Sequence, residues 1–151
     1  MTRRRAGVSA TLLVLLLTAG CGGHGESGAG AETDRTADSS TCLADASPVS
    51  VTPDGYPVDF PMPPGTVLFH VEDRGADGVV ATGITDTPFK AVLGALNGPA
   101  QQAGFKVSDG ETEEHDAEAN WTGNGYTGRW AIRESATCHG QTVIQLLSKR
   151  T

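Results

Sequence analysis

The chain carries little of what recognisable activities are usually built from. Of its 151 residues only 5% are aromatic, three are cysteine and eleven are Lys or Arg. Those eleven bases face eighteen acids, for a formal charge of −7. Such a balance argues against nucleic acid as a partner and against electrostatic docking on anionic lipid, because both need a basic face. No G-x-S-x-G, S-x-x-K, C-x-x-C or H-E-x-x-H occurs, and no EF-hand spacing. The short patterns that arrange a nucleophile, a redox dithiol, a zinc pair or a calcium loop are therefore missing. Long apolar runs are missing too. The longest, from Ala6 to Ala19, falls short of the roughly 20 residues a spanning helix needs, and Gly20, Gly22 and Gly23 close it off.

What that run does have is order. Arg3, Arg4 and Arg5 precede an apolar core, Leu12-Leu13-Val14-Leu15-Leu16-Leu17, and the small residues Thr18-Ala19-Gly20 follow it. A basic start, a short greasy centre and a small-residue exit describe an export signal. With Cys21 directly after them, these residues resemble the lipobox of bacterial lipoproteins. The resemblance covers residues 1–21. It implies that the Cys21 thiol receives diacylglycerol, that residues 1–20 are cut away, and that Cys21 becomes a lipid-bearing N-terminus on the extracytoplasmic face of the cell membrane. Two acyl chains suffice for stable attachment where one is marginal. Loss of the three leader arginines takes the charge from −7 to −10.

The chain then divides into a signal peptide (1–20), a lipidated cysteine with a flexible linker (21–41) and a head domain (42–151). Gly22 to Thr41 holds no aromatic residue and almost no aliphatic one, too little apolar surface to order itself. As a flexible tether it has a root-mean-square reach of about 25 Å. The head is the right length for one domain with a modest core.

With Cys21 assigned to lipid, Cys42 and Cys138 remain as an even pair in an oxidising compartment, and they are expected to form a disulfide closing nearly the whole head. Loop-closure entropy sets an upper figure of about 4–5 kcal/mol for so long a loop. The alternative makes Cys138, beside His139, a catalytic thiol.

Periodicity predicts an α+β head: a mostly antiparallel sheet in the order ββ-α-ββββ, with one helix packed on one face. The segment from Cys42 to Gly65 is rich in proline and reads as an extended arm with a turn at Pro53-Asp54-Gly55. Its Pro61-Met62-Pro63-Pro64 reads as a stiff lead-in to the first strand. Strict alternation in Val67–Glu72 places Val67, Phe69 and Val71 on one face and His70 on the other. Gly75-Ala76-Asp77-Gly78 turns the chain into a hairpin partner from Val79 to Thr85. Thr87 is expected as helix N-cap with Pro88 at the first helical position. Phe89, Val92, Leu93, Leu96, Ala100 and Ala103 are spaced for one apolar face. Asn97-Gly98-Pro99 predicts a kink or restart, and Gly104 a left-handed cap.

A two-residue turn at Asn124-Gly125 specifies the next hairpin fully. It sets Trp121 against Gly128, Ala119 against Trp130 and Ala117 against Ile132 on one face. On the other face lie Thr122 with Thr127, Asn120 with Arg129, Glu118 with Ala131 and Asp116 with Arg133. An apolar face and a charge-matched face emerge from one register. Asp109-Gly110 reads as a turn, and a bulge or longer loop between Asp109 and Asp116 is needed to keep Phe105 and Val107 on the apolar side. Thr142 to Ser148 is apolar on both sides, which predicts an interior strand.

Three readings of the head's role follow. The first is a non-enzymatic binding or interaction module of the cell envelope, with an envelope protein or ligand as partner and no cofactor. The second is a small envelope hydrolase or cation-binding protein using residues 111–118, where Glu114, His115, Asp116 and Glu118 are the candidate ligands. Strand alternation and the nearby Arg129 and Arg133 weigh against that cluster. The third is an accessory or sensor subunit of a membrane complex. Gly123-Asn124-Gly125-Tyr126-Thr127-Gly128 matches the dinucleotide fingerprint only in letters, because a strand and not a helix is expected after it. Trp121, Tyr126 and Trp130 would offer an aromatic ligand surface if exposed; the hairpin register places the tryptophans in the core instead.

Overall fold

The computed structural model describes residues 41–50 and 52–151. The expected signal peptide, the proposed lipidation site Cys21 and the expected linker as far as Ser40 lie outside the described residues. Six strands form one sheet: β1 (Val67–Asp73), β2 (Val79–Thr85), β3 (Lys106–Thr112), β4 (Asp116–Gly123), β5 (Tyr126–Glu134) and β6 (Thr142–Arg150). An α-helix, α1 (Phe89–Gln102), connects β2 to β3. The spatial order is β1-β2-β6-β5-β4-β3, and every neighbouring pair is antiparallel. This is the α+β fold expected, with β6 in the interior as its two-sided apolarity requires.

The Asn124-Gly125 turn determines the centre of the sheet. Both residues have positive φ, 51° and 80°, the geometry that matches the twist of a tight hairpin. Pairing runs from Asp116↔Arg133 through Ala119↔Trp130 to Thr122↔Thr127, the register expected residue for residue. Trp121 and Trp130 are fully buried on the inner face, the side that α1 covers. A cross-strand Gly128 makes room for the larger ring, since a Cβ there would lie 2.7 Å from Trp121 Cζ2.

Helix α1 buries Phe89, Val92, Leu96 and Ala100. Leu93 packs at its margin, whereas Ala103 is exposed. Its ends correct two expectations. Pro88, not Thr87, occupies the N-cap, and no side chain caps the helix. The Thr87 hydroxyl is instead engaged by Thr85 Oγ1 at 3.1 Å in the loop before it. The helix also runs unbroken through Pro99, with no restart. Proline there removes a single amide near the last turn, and burial of Leu96 and Ala100 on either side holds the helix together. Its C-terminus ends as expected. Gly104 has φ +89°, Gly104 N–H donates to Gln101 O and Phe105 N–H to Ala100 O, the paired bonds of a Schellman cap.

Two bulges overturn simple alternation. In β1 the register shifts between Leu68 and His70. Leu68 and Val71 consequently pack inward, while Phe69 joins Ile84 and Val143 on the outer face. Val67 pairs with outward-facing Ile84, so Val67, Phe69 and Val71 do not share a face. In β3, Asp109-Gly110 is not a turn. Asp109 (φ +42°) is itself the bulge, with pairing broken between Ser108 and Gly110, and the strand continues to Thr112. The extra residue expected between Asp109 and Asp116 is thus absorbed at the start of that interval. β1 and β3 are the two edges of the sheet, where bulges blunt pairing with other chains.

The proline-rich segment is more than a lead-in. Pro53-Asp54-Gly55 turns as expected, with Tyr56 N–H on Pro53 O. The chain then drops Tyr56 and Phe60 into the core. The Phe60 ring stands 5.0 Å from Trp121 and 5.1 Å from Phe105. Proline pre-pays part of the ordering entropy, so a strap without regular hydrogen bonding can still cover the sheet beside α1.

A disulfide joins Cys42 to Cys138 across 96 residues. It ties the start of the described chain to the loop between β5 and β6, and it rules out a free catalytic thiol at Cys138 in the oxidised protein.

Candidate functional site

The acidic segment lies at the end of the sheet where β4 begins and β5 ends. Glu134 N–H donates to His115 O at 2.9 Å, closing the hairpin there. The same two residues meet through their side chains, with His115 Nδ1 2.9 Å from Glu134 Oε2. Glu114 Oε1 stands 3.7 Å from the other ring nitrogen. All three side chains are at least half exposed, so water screens these contacts and each contributes little to stability.

Asp116 and Glu118 project instead from the outer face of β4. Glu118 is buried and takes a two-pronged bond from Arg129, with Nε 3.1 Å from Oε2 and Nη2 on Oε1. Asp116 is opposed in register by Arg133. The structure therefore disperses Glu114, His115, Asp116 and Glu118 between a solvent-exposed loop and two arginine-matched strand positions. Among the described residues no three His, Cys, Asp or Glu side chains converge as a cation site requires.

The other two histidines among the described residues stand apart from this cluster. His70 is exposed on β1, and His139 is exposed beside the disulfide in the β5–β6 loop. On β1, Glu72 has its carboxyl held below the usual range by a hydrogen bond from Arg74, with Nη2 3.0 Å from Oε2. At the C-terminal end of α1 a hollow of about 430 Å³ is lined by Gln101, Gly104, Phe105, Lys106 and Val107. Lys106 is its one ionisable group, so no acid–base pair is assembled there.

The aromatic residues are structural. Trp121 and Trp130 are 0% and 1% exposed, and neither indole N–H meets a protein acceptor. Tyr126 lies partly buried under Arg150, whose guanidinium carbon is 5.1 Å from the ring centre. They form no exposed aromatic surface. The glycine fingerprint at residues 123–128 spans a hairpin turn and runs into β5, with no helix N-terminus to meet a phosphate.

Sequence reasoning missed Tyr56 and Phe60. Their signal was scarcity. In a chain with so few aromatic residues, two placed four apart among prolines have little reason to stay in solvent. Burial drives the Tyr56 phenol pKa up. The outer face was also only half legible. Its arginine-matched half follows from the hairpin, whereas the cover of Leu43, Ala46 and Phe69 over Ile84 and Val143 depends on the disulfide and on the β1 bulge. Comparison with protein-family models, curated proteins and solved structures finds no match to this chain.

Proposed function

We propose that this protein is a lipid-anchored, extracytoplasmic interaction module, tethered through Cys21 and presenting a small disulfide-tied head to another component of the cell envelope. The observation that carries the reading is the run Leu12 to Cys21 behind three arginines. The Cys42–Cys138 bond supports it, because such bonds persist outside the reducing cytosol. The spread of the candidate ligands and the ordinary lining of the α1 hollow favour binding over catalysis as the head's role.

The test is Cys21→Ser expressed in a bacterial host with cell fractionation. The parent is expected in the membrane fraction and the variant in the soluble extracytoplasmic fraction or the medium. Mass spectrometry of the mature parent should find a diacylated cysteine at its N-terminus. Equal membrane retention of both proteins would contradict the anchor.

A further inference from the structure

We propose that the Cys42–Cys138 disulfide is a redox latch on the arm, so that reduction by an exposed dithiol frees residues 41–50 and uncovers Phe69, Ile84 and Val143 while the sheet stays folded. The reasoning starts from how little else holds the arm. No residue from Thr41 to Ser50 is buried, the short 3-10 turn Leu43–Asp45 included. Among the described residues, two long-range backbone donors tie it down: Leu43 N–H to Gln141 Oε1 at 3.0 Å and Val49 N–H to Leu68 O at 2.9 Å. Among the described residues, Leu43 and Ala46 pack against the Phe69, Ile84 and Val143 cluster, and both remain only half-buried. The strap that follows is different in kind, with Tyr56, Pro57, Phe60 and Pro63 buried. The boundary between what the bond holds and what the core holds therefore falls between Ser50 and Tyr56.

The receiving loop does not need the arm. Cys138 N–H donates to Ser135 Oγ at 3.1 Å, Gln141 N–H to Cys138 O at 3.0 Å and Ser135 N–H to Gln141 O at 2.9 Å. Cutting the bond leaves that loop closed on itself. Cys42 is the more exposed partner and Cys138 is 6% exposed, so an incoming thiolate meets the arm's sulfur first. It forms a mixed disulfide with Cys42 and expels the Cys138 thiolate, which takes up a proton. The reductant's second thiol then resolves the mixed disulfide and frees Cys42. The protein gains two electrons and two protons, and the reductant leaves as a disulfide. Release frees about ten residues, 41–50, which span roughly 30 Å when extended and would lengthen the proposed tether by that much. That gain in reach rests on the anchored reading; the latch itself does not.

The experiment is amide hydrogen exchange on the full chain, compared with and without a reducing dithiol and repeated on Cys42→Ser/Cys138→Ser. After reduction, the amides of Leu43, Asp45, Ala46 and Val49 are expected to exchange at unfolded-chain rates. Those of β2, β5 and β6 should stay more than a hundredfold slower than that. Loss of protection throughout the sheet would show the bond to be a staple of the whole fold and overturn the latch. An arm that keeps its protection in both reduced proteins would overturn it equally, by showing that the non-covalent contacts suffice. A failed Cys21→Ser release leaves this measurement unaffected.

Discussion

Gly128→Ala probes the packing that organises the sheet. Gly128 lies between Trp121 on β4 and Ser148 on β6. An added Cβ would overlap Leu147 O on the neighbouring strand and stand 2.7 Å from Trp121 Cζ2. The tryptophan is fully buried against Phe60 and Phe105 and has nowhere to turn. Leu147 O is backbone, so relief requires separating β5 from β6. Overpacking of this kind costs typically 1–3 kcal/mol, and a backbone obstacle places the expected loss near the upper end, about 3 kcal/mol. For a domain of this size that corresponds to a fall in Tm of more than about 10 °C. Gly94→Ala is the internal control. It lies on the exposed side of α1 with nothing within 4 Å of its Cβ, and it should stabilise by up to about 1 kcal/mol through helix propensity. Urea unfolding under non-reducing conditions, followed by the fluorescence of the two tryptophans, measures both. A Gly128→Ala protein within 0.5 kcal/mol of the parent would refute the packing argument.

Other outcomes follow from the same contacts. Burial raises the Tyr56 pKa, so the folded protein holds that proton more tightly than the unfolded chain does. Its contribution is fully present below the unfolded pKa near 10 and is lost as pH rises above it; Tyr56→Phe should shallow the alkaline decline seen by urea titration at stepped pH. Arg129→Met strands the buried Glu118 carboxylate and should cost about 3 kcal/mol, the low end for breaking a buried pair. Adding Glu118→Leu should recover part of that loss, and a fully additive double variant would show the two side chains to be uncoupled. Leu96→Ala removes a side chain with no exposure from the helix–sheet interface and should cost 2–5 kcal/mol in the same unfolding assay.

Some of these contacts are written locally. Asn124-Gly125 sets the β4–β5 register because a two-residue turn leaves no slack, and period-two alternation then assigns every side chain to a face. Gly104 and the apolar spacing before it mark the helix and its end. The bulge at Phe69 left no such mark. The segment Val67–Glu72 alternates acceptably in either reading, and only pairing with β2 selects the one in which Phe69 faces outward. The acidic segment shows the same division at the candidate site. Four ligand-capable residues within five positions look like a cluster in one dimension. In three, Arg129 claims Glu118, Glu134 meets His115, and the strand carries Asp116 to a different neighbour.

From its sequence alone this protein shows a short apolar run behind three arginines with a cysteine at its exit, a polar stretch after it, an even pair of further cysteines and one hairpin of specified register. All of these depend on neighbours along the chain, or on parity. The tertiary structure decided that β6 lies between β2 and β5, that Tyr56 and Phe60 complete the core through a strap of prolines, and that the disulfide secures an arm with no buried residue of its own. Those outcomes come from competition among distant segments for the same apolar surface, and no local pattern records which segment wins.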